Sequence, residues 1–145
     1  MIGHVAGTET LPPPAPLDAR FSAFLLDGLI LFVGAFPSQM WSLVAAPFDV
    51  ALVIWASWMV VYPLYFAAFW SFGHGQTPGM RVRRLRVVDG NGRALGFGRA
   101  LARAMVLLFG MGVGIVPLSV LLDREGAAIH DRLFGTRVVR VNVNR

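Results

Sequence analysis

The chain has 145 residues, 56% of them hydrophobic and only 14% charged, with a mean hydropathy of +0.63. Soluble domains carry about 25% charged residues, so this composition excludes an ordinary soluble domain and points to one membrane-embedded unit. The net charge of +5 comes from thirteen basic residues, all arginine, set between long apolar runs, an arrangement that suits a membrane surface better than nucleic acid. Without cysteine, disulfides and thiolate metal sites are excluded.

Residues 1–19 lack the basic n-region and early apolar core of a signal peptide. With Pro12, Pro13, Pro14 and Pro16 they read as a disordered, proline-rich arm acting as a tether. The first apolar segment follows, from about Arg20 to Phe36. It holds ten Phe, Leu, Ile or Val residues between Phe21 and Phe36; at roughly −0.3 to −0.6 kcal/mol each they favour insertion by about 3–6 kcal/mol. One Asp at a helix centre costs about 2.5–3.5 kcal/mol, so the segment inserts in spite of Asp27. Arg20 and Asp27 are close to two helical turns apart and share a face, one that turns toward protein rather than lipid. Pro37 and Ser38 mark the expected end, and Gln39 to Asp49 the connection.

The second segment, about Val50 to Phe72, carries no charge, exceeds the ~20 residues needed to span, and should kink at Pro63. Its aromatic residues, Tyr65 among them, read as packing and interface anchors. Gly73, Gly75, Pro78 and Gly79 then make a turn-rich exit, followed by alternation over Arg81 to Val88. Asp89-Gly90-Asn91-Gly92 is a hairpin signal, so a short β-ribbon is expected at the membrane surface. The third apolar segment, Ala100 to Leu122, has Arg99 and Arg103 at its entrance. Its Gly110/Gly114 pair fits close helix packing and Pro117 a break. A polar turn and a strand-like tail from Thr136 to Val143 complete the chain.

The connection 37–49 has no arginine, whereas loop 73–99 has six; that loop and the N-terminus are therefore expected to be cytoplasmic. The tail is basic too, so a broken third segment that re-enters is preferred to a third full span. The expected fold is thus an all-α membrane protein with two transmembrane helices, a broken or re-entrant third segment (or three spans) and a short cytoplasmic β-ribbon.

The chain resembles the RDD family of bacterial membrane proteins, named for one arginine and two aspartates. The matching residues are Arg20, Asp27 and Asp131, the last in the run Ile129 to Val139. Gly75-Gln76-Thr77-Pro78-Gly79, Leu85 to Asp89 and Arg103 support the match. One departure is Met80, where many relatives place a basic residue; Arg81 stands beside it. The resemblance covers roughly residues 17–141, within an RDD-like membrane domain at 20–145. It implies a location in the bacterial cytoplasmic (inner) membrane and little chemistry of its own; transport of small solutes or cations has been proposed for the family.

His130-Asp131 reads as a turn dyad rather than a metal site, since the chain holds three histidines in all. No nucleophile with a plausible base is apparent, so neither catalysis nor a cofactor is expected. Asp27 has two readings. It binds a cation or proton, or it is neutralised by Arg103 or Arg99 and ties the helices together. Two functions follow: a small transporter or exchanger acting as an oligomer, or a non-transporting scaffold or regulatory module. In the second, the basic face binds anionic lipid headgroups or a membrane protein partner.

Overall fold

The computed structural model describes residues 13–112 and 129–141. Two long helices dominate it. Helix α1 runs Leu17–Val44 and α2 runs Phe48–Ser71, joined by the short connection 45–47. Each begins behind a proline and carries an aspartate in its first turn, Asp18 and Asp49, where the carboxylate meets the positive end of the helix. Both are long and apolar enough to cross a membrane.

The first helix differs from expectation at both ends. It starts at Leu17 and continues through Pro37 for nearly two further turns. A chain in an apolar environment has no other way to satisfy its backbone, so one proline is absorbed rather than ending the helix. Nearby hydroxyls assist, with Ser38 donating to Ala35 O and Ser42 to Gln39 O, both at 2.8 Å. Ser38 also accepts from Trp58 Nε1 at 3.1 Å, which joins α1 to α2 below the kink-prone residue. The arm expected over 1–19 is likewise structured at its end. Ala15 N donates to Val138 O at 2.8 Å, and Pro14 bridges Val139. Residues 1–12 lie outside the described residues.

After α2 the chain makes a turn at His74 and Gly75, then a five-residue helix α3, Pro78–Val82. Strand β1 (Leu85–Asp89) follows, and helix α4 (Phe97–Gly112) packs on α2. A short helix α5, Ile129–Leu133, leads through Gly135, whose φ of 57° suits glycine, into strand β2, Thr136–Arg140. The two strands pair antiparallel, with Val87 opposite Val138. The ribbon therefore forms, but not as a local hairpin. Asp89 closes its expected turn by accepting from Asn91 N and Arg93 N, both at 2.9 Å, and the chain then departs into α4. Neither edge is left bare, because Gly75 O accepts from Val87 N along β1 and Ala15 lies along β2. The proposed Gly110/Gly114 contact, the break at Pro117 and the far end of the third segment lie outside the described residues, except for the backbone up to Gly112.

The packed core sits at one end of the molecule. Ala19, Ala23 and Leu31 of α1, Phe66 and Trp70 of α2, and Leu85 and Val138 of the ribbon all belong to it. The opposite halves of α1 and α2 expose large apolar side chains, such as Phe32, Val33, Leu52 and Val53. Because β2 pairs with β1, the basic tail and the basic 73–99 loop share one end of the fold.

Candidate functional site

One face of α1 carries Ala19, Ala23, Asp27, Leu31 and Ala35, spaced four apart and buried. The small alanines let neighbouring backbone approach closely. Gly79 does so. A Cβ there would lie 2.2 Å from Ala23 O and 2.9 Å from the Asp27 carboxyl carbon, so only glycine fits.

That approach delivers donors to Asp27, which is 1% exposed. Its Oδ1 accepts from Gly79 N at 2.8 Å and from the Tyr65 hydroxyl at 3.0 Å, and its Oδ2 accepts a short bond from the Thr77 hydroxyl. Thr77 in turn accepts from Met80 N at 3.2 Å, which makes it the N-cap of α3, with Pro78 in the first helical position. Asp27 thus fastens α3 to α1 and α2 through neutral donors. The arginines expected beside it are elsewhere: Arg99 donates to Phe134 O at 2.5 Å, and Arg103 bonds to Asp131. The correction has a simple geometric cause. α4 lies against α2, and its Arg103 points toward α5, where Asp131 stands.

Asp131 is the centre of the second cluster. Its Oδ1 accepts from Arg103 Nη2 at 2.6 Å and Nε at 3.3 Å, and from the Thr136 hydroxyl at 3.2 Å. Arg20 Nη1 reaches Oδ2 at 3.4 Å, and its Nη2 reaches Val138 O at the same distance. The Arg103 guanidinium, 2% exposed, also stacks 4.1 Å above the Trp70 ring, a cation–π contact strengthened by burial. Arg103 Nη1 and Trp70 Nε1 are buried and without a hydrogen-bond partner among the described residues, a cost the stacking partly offsets.

The three expected signature residues therefore divide. Arg20 and Asp131 meet; Asp27 serves a separate cluster. Tyr65, Thr77, Gly79, Trp70 and Thr136 complete the two clusters. A threonine directly before proline is a legible helix start, and that signal could have exposed α3. Tyr65 carried no comparable mark. Met80, the departure from the resembled pattern, packs against the core, and Arg81 beside it is exposed. Outside the buried clusters, Asp89 is held below the usual carboxylate range chiefly by the backbone N–H of Arg93, desolvation opposing and the N–H of Asn91 adding. No metal-competent group of His, Asp or Glu occurs among the described residues.

Two apolar helices long enough to cross a bilayer, clasped at one end by buried carboxylates and arginines, define a small helical membrane protein. Compared with known families, the chain belongs to the RDD family, which it matches over residues 14–135. Neither curated proteins nor solved structures give a match.

Proposed function

We propose that this protein is a non-transporting, non-enzymatic membrane module whose two buried aspartates brace a basic surface, and that this surface holds anionic lipid headgroups. The observation that carries the reading is the engagement of Asp27. Buried, its oxygens accept from Tyr65, Thr77 and Gly79, a donor set that holds a helix start and takes up three of the roughly four acceptor sites of a carboxylate. Asp131 is likewise engaged by Arg103, Arg20 and Thr136. The exposed arginines include Arg81, Arg83 and Arg84 around α3 and Arg137 and Arg140 on β2. Such a cluster at a membrane attracts anionic lipid at about 1 kcal/mol per arginine near the surface.

Helix lengths support the orientation. Residues 28–44 and 48–64 each extend about 25 Å at 1.5 Å per residue, close to the ~30 Å hydrocarbon layer. Large apolar side chains are exposed along both stretches. Asp27 and Tyr65 then sit where hydrocarbon gives way to headgroups, a level at which tyrosine is favoured. The arginine-rich end faces the cytoplasm by the positive-inside rule, in a bacterial inner membrane. The shared end of β1 and β2 supports a third segment that returns to the side it left.

The test is ion flux from protein-containing liposomes under Na⁺, K⁺ and H⁺ gradients, alongside lipid retention in detergent. The expected result is no flux, with phosphatidylglycerol retained in preference to phosphatidylcholine. That preference should fall in an Arg81→Gln, Arg83→Gln, Arg84→Gln variant. Flux by the wild type that disappears in a folded Asp27→Asn variant would instead establish the transporter reading.

A further inference from the structure

Between α1, α2 and α4, one residue from Asp27, lies a partly open cavity of about 140 Å³. Its walls are apolar: Phe24 and Leu31 of α1, Tyr62 and Phe66 of α2, Leu107 of α4. Gly28 forms part of the lining, and a Cβ added to it would meet nothing within 4 Å. The space exists, in part, because residue 28 has no side chain. A closed apolar cavity of about 150 Å³ stays dry and admits a benzene-sized hydrocarbon. Water has no reason to enter this one either.

We infer that this crevice receives one acyl chain of an anionic phospholipid whose headgroup rests on the arginines around α3. The inference rests on the headgroup reading above and adds a second contact to it. Two observations select this occupant. The first is depth. Along α1 the crevice runs from Phe24, beside the point where Gly79 of α3 meets Asp27, to Leu31, about 6 Å beneath Asp27, the level of the first carbons of an acyl chain under its headgroup. The second is the positive charge on the element beside the crevice. Asp27 binds Gly79 N at 2.8 Å, so α3 stands directly beside the crevice, and the exposed Arg81 follows two residues later. Asp27 itself, buried beneath Thr77 and Tyr65, presents no bare carboxylate to repel an anionic headgroup. A lipid seated here would touch cation and crevice together, and the two contacts reinforce each other as linked sites do.

The variant that tests this is Gly28→Phe, with Gly28→Leu as a smaller second filling. The open space at Gly28 predicts that both fold, as checked by an unchanged thermal midpoint in lipid-free detergent. Delipidated full-length protein is titrated with dioleoyl phosphatidylglycerol, dihexanoyl phosphatidylglycerol and dioleoyl phosphatidylcholine, and bound lipid is counted by native mass spectrometry. The wild type should hold one long-chain phosphatidylglycerol more tightly than the short-chain lipid. The filled variants should lose this preference, with long-chain binding weakened by about tenfold or more. Unchanged long-chain binding in both filled variants would overturn the crevice assignment and leave the arginine surface standing. Equal binding of phosphatidylcholine and phosphatidylglycerol by the wild type would overturn the headgroup reading and this inference with it.

Discussion

Replacing Asp131 by alanine removes the acceptor on which the second cluster depends. Arg103 is the residue most affected, being 2% exposed and bonded to Asp131 through Nη2 at 2.6 Å. The contributions are unequal. The 2.6 Å charge-assisted bond is the strong one, and bonds to charged groups are worth about 1.5–3 kcal/mol. The Nε contact at 3.3 Å and the Arg20 contact at 3.4 Å are long and add little. Arg20 is also the more exposed partner, so solvent screens its share. The larger part is the buried guanidinium left without a counter-charge, since breaking one side of a buried pair costs about 3–5 kcal/mol. We therefore expect Asp131→Ala to destabilise by about 3–5 kcal/mol and to lower the Tm by on the order of 10 °C. Helical ellipticity of detergent-solubilised protein, followed on heating, reads the effect. Asp131→Ala combined with Arg103→Met should recover at least about 1 kcal/mol, because methionine fills the slot over Trp70 without a charge to strand. A loss below about 2 °C for the single variant, or strictly additive losses in the double, would refute this reasoning.

Other expectations follow from the same geometry. Asp27→Asn offers one acceptor oxygen to three donors, so it should cost about 1–3 kcal/mol, with hydrogen exchange accelerated at Gly79 and Met80 but not in residues 29–40. Gly79→Ala drives a methyl into Ala23 O and should destabilise by about 1–3 kcal/mol in thermal melts, whereas Gly96→Ala, which meets open space, should not. The Asp89 turn should be insensitive to pH above about 4. Because the folded carboxyl is held below its unfolded value, its contribution is present above that value and is lost as pH falls through the folded one. Amide protection of Asn91 and Arg93, measured between about pH 2 and 5, should drop only in acid, and Asp89→Asn should abolish the dependence.

The two long helices were legible because an uninterrupted apolar run has few alternatives in a membrane, and the strand at Thr136–Arg140 because its valines lie in a short β-branched run behind a glycine turn. Their boundaries were not. Pro37 carries a strong stop signal in water, and the apolar environment that overrides it is not written in residues near Pro37. The pairing of charges was illegible for a different reason. Arg103 lies nearer in sequence to Asp131 than to Asp27, yet sequence distance says nothing about which way α4 presents it. Only the seating of α4 on α2, over the Trp70 ring, decides that Arg103 meets Asp131. The ribbon shows the same limit. Asp89 to Gly92 does make its turn, but β1 finds its partner on the far side of α4, a long-range choice that local turn chemistry does not encode.

The two aspartates solve different problems with the same side chain. Asp131 balances charge: it sits between Arg103 and Arg20, and losing it strands a cation. Among the described residues Asp27 has no cation in hydrogen-bond contact, and a five-residue helix supplies little dipole, so its burial there is carried by neutral hydrogen-bond donors. That demand explains its neighbours along the α1 face. Ala23, one turn above, must be small for Gly79 to bring its N–H within 2.8 Å. Leu31, one turn below, turns the same face apolar where no further donors arrive. Small, charged and then large at four-residue spacing, the α1 face changes from a surface that receives backbone to one that receives hydrocarbon. Asp27 stands at the change.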